Sequence, residues 1–134
     1  MSEFIEVELA RIILQSKGEQ QYIHLRVKGS QRSFPILIGF YEAAEIHRKI
    51  SGETMRRPMT HDLIGRILDA TGSELQKIVI NSLREETYYA TLHIDQGGEE
   101  KIVDCRPSDA VALSVQAKAP IYVAREVLDI VAPE

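Results

Sequence analysis

The first third of the chain alternates between apolar and polar residues in a way that predicts strands. Residues 4–14 and 22–27 alternate with a period of two, and the polar link at residues 16–19 suits a hairpin between them. Residues 34–40 form a continuous apolar run of strand length that Gly39 can end. Three strands are therefore expected before the first helix.

The pattern then changes to a helical period. In residues 41–50 three apolar side chains recur at helical spacing, and Gly52 fits the end of that helix. A second helix is predicted to open at Pro58 and Thr60 and to end at Gly72. Its apolar face is formed by Leu63, Ile64, Ile67 and Leu68.

Strands return in the second half of the chain. Residues 75–83, 86–95 and 99–105 are predicted to be strands, and Gly97-Gly98 is a hairpin signal between the last two. A third helix, apolar nearly all round and therefore buried, is expected from Asp109 to about Ala117.

After Pro120 a short strand at residues 121–124 and a last helical turn at residues 125–131 complete the pattern. The predicted fold class is α+β, with a single domain over residues 1–134. We expect a mostly antiparallel or mixed β-sheet, about three main helices and a short C-terminal helix, because most strands are linked as hairpins.

Composition agrees with one ordinary globular domain. Hydrophobic residues make up 44% and charged residues 27% of the 134 residues. The single Cys105 excludes an internal disulfide and a zinc finger, and we expect a small buried residue rather than a reactive thiol. The acidic N-terminal segment does not resemble an export signal, so a cytoplasmic protein without membrane association is expected.

Charge is distributed unevenly. The net charge of −4 argues against indiscriminate coating of nucleic acid. Residues 47–66, however, contain five Lys or Arg and two Asp or Glu, so this window carries +3 and the remainder −7. A local basic face of this kind can hold a phosphate, and a solvated surface also accounts for it.

Two segments share one pattern. RRPMTHDL and CRPSDAVAL each contain Arg-Pro, then a hydroxyl residue, then Asp at the start of an apolar helix. Thr60 and Ser108 are predicted to cap the two helices, while Asp62 and Asp109 complement the helix dipoles. Because each segment ends at a helix N-terminus, we expect the fold to bring the two segments together.

The second segment carries more charge than a cap requires. Asp104 and Arg106 share one face of an extended strand, and Asp109 lies just past the turn. The spacing is equally compatible with a structural ion-pair network and with a functional site. Further candidates for the same site are Glu42, His61 and Asp62.

A divalent cation would reconcile the acidic and basic candidates. Arginine and a helix N-terminus attract phosphate, whereas aspartates repel it. Hard oxygen ligands hold Mg²⁺ or Mn²⁺, which can bridge to a phosphoryl oxygen and activate water for phosphodiester hydrolysis. The candidate metal ligands are Asp62, Asp104 and Asp109, and the candidate phosphate ligands are Arg57 and Arg106.

Five motifs give the chain a resemblance to a known family. IGFYEAAEI, RPMTHDL, TYYATL, VDCRPSDAVAL and APIYV, in this order, resemble the bifunctional nuclease family over most of the chain. The resemblance implies an α+β domain, often dimeric, that is associated with cleavage of DNA and RNA. The motif positions that it carries over are Glu42, Arg57, Thr60, His61, Asp62, Asp104, Arg106, Ser108 and Asp109.

Two functions stay open on the sequence. The first is a metal-dependent nuclease, and the second is a non-catalytic module that binds a nucleotide, a nucleic acid or a protein through the same cluster. A homodimer is also expected, because strands as apolar as residues 34–40 in so small a chain leave a surface to cover.

Overall fold

Residues 3–134 are described by the computed structural model, and this part of the chain contains seven strands and four helices. In chain order they are β1 (Phe4–Ile13), β2 (Gln21–Val27), β3 (Ser33–Ile38), α1 (Phe40–Ser51), α2 (Thr60–Ala70), β4 (Ser73–Arg84), β5 (Thr87–Gln96), β6 (Glu99–Cys105), α3 (Pro107–Ala117), β7 (Ile121–Ala124) and α4 (Arg125–Val131). The predicted elements all form, with ends that shift by a few residues.

The strands make one mixed sheet in the order β3-β2-β1-β7-β4-β5-β6. Among the strand pairs of residues 3–134, only β4 with β7 is parallel, and the others are antiparallel hairpin or neighbour pairs. The short β7 lies between β1 and β4 and so joins two three-stranded meanders into one sheet. The predicted α+β class with a mixed sheet is confirmed.

The core is centred on β4. Ile78, Val79 and Ile80 are consecutive and all buried, so both faces of this strand are covered. Helix α3 packs against β4 and β5, and α4 packs against β4 and β7. As predicted, α3 is buried nearly all round, because its middle turn is Ala110-Val111-Ala112-Leu113.

The two β-hairpins of the second half use the same kind of turn with different residues. Gly97 and Gly98 adopt positive φ angles of 60° and 90°, which confirms the hairpin predicted there. The β4–β5 turn places Glu85 and Glu86 at φ 50° and 63°, a conformation that favours Gly or Asn.

No helix in the described part of the chain is long and apolar enough to span a membrane.

Candidate functional site

A cleft of about 690 Å³ opens where the helices α1, α2 and α3 meet the β5–β6 hairpin, and we call it the acidic cleft. One wall is apolar and includes Ile64, Leu92 and Val103. The other wall carries the polar side chains Tyr41, Glu42, Glu45, Thr60, His61, Asp104, Arg106 and Asp109. The predicted residues Glu42, His61, Asp104, Arg106 and Asp109 therefore lie in one cleft.

Arg106 connects two helix starts in this cleft. It is the N-cap of α3, and its backbone is extended, as is usual for a residue that precedes proline. Its Nε and Nη2 donate to Asp109 Oδ2 and Oδ1 at 2.8 and 2.9 Å, and its Nη1 donates to Glu42 Oε2 at 2.8 Å. Two of its five N–H groups take no part in these bonds, and its side chain is 60% exposed.

Glu42 reaches Arg106 from the first turn of α1. Its carboxylate folds back over Gly39, the N-cap of α1, where a Cβ would collide with it. A hydrogen bond from its own backbone amide, and then the Arg106 hydrogen bond, lower the pKa of Glu42 below its ordinary value. The carboxylate is therefore ionised at neutral pH.

His61 lies on the inner side of Asp109. It is 9% exposed, and its Nε2 lies 3.0 Å from Asp109 Oδ1. Burial by itself raises the pKa of Asp109, but the hydrogen bonds from Arg106 and His61 outweigh it and the pKa is lowered. Since an ionised carboxylate only accepts, His61 Nε2 is the donor. This contact confirms that the two Arg-Pro segments meet.

The charged contacts continue beyond His61 to the far side of α2. His61 Nδ1 lies 3.6 Å from Glu45 Oε1, and Arg48 donates to both Glu45, at 2.7 Å, and Asp62, at 3.0 Å. Lys49 also pairs with Asp62. Alternating charges thus run from the acidic cleft along α1, and the Arg48 hydrogen bond lowers the pKa of Glu45.

Asp62 does not belong to the acidic cleft, and its assignment there is wrong. It faces Arg48 and Lys49, and its carboxylate also accepts from the Met59 backbone N–H at 2.8 Å. Burial alone would raise the pKa of Asp62, but these hydrogen bonds keep it far below its usual range. Asp62 is thus part of an ion-pair network that fixes α2 against α1.

The predicted set of three aspartates does not assemble as a metal site. Within residues 3–134, no group of three or more His, Cys, Asp or Glu side chains is placed to hold a metal ion. Asp62 faces away from Asp109, and the Arg106 guanidinium lies between the Asp109 and Glu42 carboxylates. The residues present therefore do not fit a resident cation, and no chemical step is assigned to one.

Asp104 and Cys105 line the cleft from the end of β6. Asp104 is exposed, and no ion pair or side-chain hydrogen bond involves it among residues 3–134. Burial, followed by the charges of Asp109 and Asp104, raises the pKa of the Cys105 thiol to about 12. Cys105 is half-buried rather than buried, its thiol is protonated at neutral pH, and Asp104 is an available carboxylate.

The predicted helix caps are wrong. Met59 is the N-cap of α2 and Arg106 is the N-cap of α3, and neither helix start has a side-chain cap from a hydroxyl. Thr60 and Ser108 lie one and two residues after the N-cap positions, so neither hydroxyl occupies the position from which a side chain caps a helix. Thr60 instead faces the acidic cleft, and Ser108 is buried beneath the α3 N-terminus.

Arg57 lies in a different cavity from Arg106. This second cavity, about 570 Å³ and here called the basic cavity, lies on the other side of α2 from the acidic cleft. Its basic lining residues are Arg48, Lys49, Arg56, Arg57, Arg66 and Lys118. The two predicted phosphate ligands, Arg57 and Arg106, therefore line different cavities.

Sequence reasoning missed residues that hold the site in place. Glu45 follows Glu42 at helical spacing, and this i,i+3 relation could have placed it in the cleft. Gln116 donates to the His61 backbone carbonyl at 3.0 Å, and Gly65 leaves the room that its amide needs. No local pattern indicates that contact, because it joins two helices 55 residues apart in the chain.

The fold and the cleft define an α+β domain that presents carboxylates, an arginine and a histidine where three helices meet. The family model for the bifunctional nuclease domain matches residues 23–133, and the chain belongs to this family. An uncharacterised protein of Mycobacterium tuberculosis is 38% identical over 123 residues, covering 92% of this chain and 73% of that protein.

Plant proteins show the same likeness over a smaller part of their length. Bifunctional nuclease 2 of Oryza sativa subsp. japonica is 32% identical over 110 residues, covering 79% of this chain and 34% of that protein. Bifunctional nuclease 2 of Arabidopsis thaliana is 24% identical over 98 residues, covering 71% of this chain and 30% of that protein. The chain thus matches about a third of each plant protein.

Proposed function

We propose that the protein is a nuclease that hydrolyses phosphodiester bonds of DNA, RNA or both in the acidic cleft. The observation that carries this proposal is the Arg106 guanidinium, which is exposed and fixed by Asp109 and Glu42 with two N–H groups left for a ligand. Membership of the bifunctional nuclease domain family and the names of the plant relatives support it.

Each cleft residue has a proposed role. Arg106 binds the reacting phosphate and stabilises the charge that develops on its oxygens. Asp104 accepts a proton from the attacking water, since its carboxylate has no ion-pair partner in the described chain. Arg106 is held in position by three residues. Glu42 and Asp109 accept hydrogen bonds from its guanidinium, and His61 hydrogen-bonds to the Asp109 carboxylate from the other side.

The need for Mg²⁺ or Mn²⁺ remains a prediction from the sequence. A cation recruited together with nucleic acid would find Asp104 as the carboxylate of the cleft that has no ion-pair partner among residues 3–134. The assay below therefore compares reactions with each cation and with a chelator.

A non-catalytic binding module is the alternative, and one observation favours it. Both edges of Arg106 and the Nε2 atom of His61 are already engaged by carboxylates, as in a structural ion-pair network. Under this alternative the cleft holds a nucleotide, a nucleic acid or a protein segment without cleaving it.

Cleavage of end-labelled DNA and RNA by the purified protein tests the proposal. Reactions contain Mg²⁺, Mn²⁺ or EDTA, and a double variant, Asp104→Asn with Asp109→Asn, serves as the inactive form. Cleavage by the wild-type protein and its loss in the double variant are expected. Binding of either nucleic acid without cleavage under every cation condition would support the alternative and reject the nuclease.

We also propose that the protein is a cytoplasmic homodimer. Met59, Leu63 and Ile67 recur along α2 with 44%, 50% and 52% of their surface exposed, which leaves an apolar stripe beside the cleft. A symmetric dimer is the commonest way to cover such a stripe. Sedimentation at micromolar concentration should show a species twice the 15.1 kDa chain mass, and a monomer alone would contradict this.

A further inference from the structure

The basic cavity contains more positive charge than the local contacts neutralise. Its wall has six Lys or Arg side chains and three Asp or Glu side chains, a net charge of +3 in a protein whose total is −4. Arg48 and Lys49 are paired with Glu45 and Asp62. The four remaining cations are exposed and form no ion pair within residues 3–134: Arg56, Arg57, Arg66 and Lys118.

Lys118 lines the basic cavity and has a backbone conformation that is unfavourable for a lysine. It is the C-cap of α3 and adopts φ 57° and ψ 39°, the left-handed conformation in which helices usually end with glycine. A β-carbon makes that conformation unfavourable, so lysine at this position lowers the stability of the fold relative to glycine. The side chain that this position provides is a cation facing the basic cavity.

The two cavities lie on opposite sides of α2. Thr60, His61 and Ile64 face the acidic cleft, whereas Asp62, Arg66 and Asp69 face the basic cavity. A helix is about 10–12 Å wide with its side chains, and one strand of a nucleic acid carries a phosphate about every 3.4 Å along its axis. A strand that crosses this width therefore presents a few phosphates between the two cavities.

We infer that the basic cavity binds phosphates of a nucleic-acid strand that are not cleaved, while the acidic cleft takes the reacting phosphate. This inference rests on the proposed nuclease function. The acidic cleft alone carries four carboxylates and repels a polyanion, so attraction of the substrate must come from elsewhere. The positive charge of the basic cavity attracts the strand at phosphates that lie a few nucleotides away from the reacting bond.

Binding of an uncleavable probe tests the inference independently of catalysis. The probe is a labelled single-stranded oligonucleotide of about 12 nucleotides with phosphorothioate linkages, long enough to span both cavities. Fluorescence anisotropy gives its affinity at several salt concentrations. For the double variant Arg56→Gln with Arg57→Gln we expect affinity to fall about tenfold or more. The slope of log K against log salt should become less steep by about 1.4, because two phosphate contacts are lost.

Two further variants separate binding from folding. Lys118→Gly relieves the left-handed strain, so the melting temperature should rise while the affinity for the probe falls. Asp69→Asn removes a negative charge from the cavity wall and should raise the affinity. Arg11→Gln, in an exposed cation of β1 that lines neither cavity, is the matched control and should leave the affinity unchanged.

Cleavage kinetics show which cavity each part of the substrate uses. With a cleavable oligonucleotide of the same length, the Arg56 and Arg57 double variant should lower kcat/KM, and with a dinucleotide, which reaches only the acidic cleft, it should not. Equal losses on both substrates, or unchanged probe affinity in the double variant, would overturn the inference. Absence of cleavage on every substrate, with the expected affinity changes intact, would reject the nuclease function and keep the basic cavity as a nucleic-acid site.

Discussion

At the scale of single residues, Arg106 connects the parts of the acidic cleft. Its bonds to Asp109 and Glu42 tie the start of α3 to the start of α1, and His61 supports Asp109 from behind. Lysine at this position keeps the charge but loses the fork that holds two carboxylates at once. The position therefore requires arginine for its geometry as well as for its charge.

We predict that Arg106→Lys lowers the cleavage rate by roughly 10²-fold, a typical effect of removing one donor to a developing oxyanion. KM should change less than kcat if the lost bonds act on the transition state. Rate measurements over a range of substrate concentrations check this. An unchanged rate together with a lower melting temperature would make Arg106 a structural ion-pair residue.

Asp62 should behave in the opposite way. Its carboxylate faces Arg48 and Lys49 outside the acidic cleft, so Asp62→Asn leaves Lys49 without its carboxylate partner and Arg48 with Glu45 alone. We expect a lower free energy of unfolding in urea and a cleavage rate, per folded molecule, close to that of the wild-type protein. Loss of activity at unchanged stability would return Asp62 to the catalytic site.

The separation of His61 from Asp62 follows from helix geometry. Successive residues of a helix point about 100° apart, and Asp62 lies a further 100° round α2 from the side that carries Thr60, His61 and Ile64, so it faces the basic cavity. The shared sequence pattern correctly indicated that the two segments meet, which the contact of His61 with Asp109 shows. It did not indicate which side chain makes the contact, because that depends on how α2 packs beside α3.

At the scale of elements, turn chemistry explains which boundaries the sequence reveals. Gly97-Gly98 matches the positive φ angles of its hairpin and was recognisable. Glu85 and Glu86 occupy the same kind of turn without the residues that favour it, so no local pattern marked the turn. The pairing of β4 with β5 along ten residues of each strand imposes the turn instead.

Replacing Glu85-Glu86 with Asn-Gly should stabilise the protein by about 1 kcal/mol or more, because both residues tolerate positive φ. Thermal unfolding should shift upward by a few degrees. The matched control places Glu-Glu at Gly97-Gly98, which should lower the melting temperature. No change in the first variant would show that the β4–β5 turn stores no strain.

At the scale of the whole molecule, the sequence predicted the helices, the strands and the α+β class. It did not predict the strand order, in which the short β7 pairs in parallel with β4 and links two meanders. Hydrophobic periodicity reports which face of a strand is buried, whereas the neighbour of each strand depends on packing between distant segments. The acidic cleft and the basic cavity both result from that packing.

The ion-pair network makes stability depend on pH. Glu42, Glu45 and Asp109 have pKa values lowered in the folded protein, so the unfolded chain binds more protons as the pH falls towards the ordinary values of 4.5 for Glu and 3.8 for Asp. Their contribution to stability is complete above that pH and is lost as the pH falls through their folded-state pKa values. Urea unfolding at pH 7, 5, 4 and 3 should show this decline, and Glu42→Gln should reduce its slope. A free energy of unfolding that stays constant to pH 3 would contradict the network.

The most direct test of the acidic cleft as a nuclease site is the cleavage rate of the single variant Asp104→Asn. Asp104 has no ion-pair partner in the described chain, so its substitution should leave the melting temperature unchanged. The control is Asp95→Asn, in an aspartate of β5 outside the cleft. We predict that Asp104→Asn lowers the rate by roughly 10²-fold or more while the control retains it. Equal rates for the wild-type protein and both variants would contradict the account.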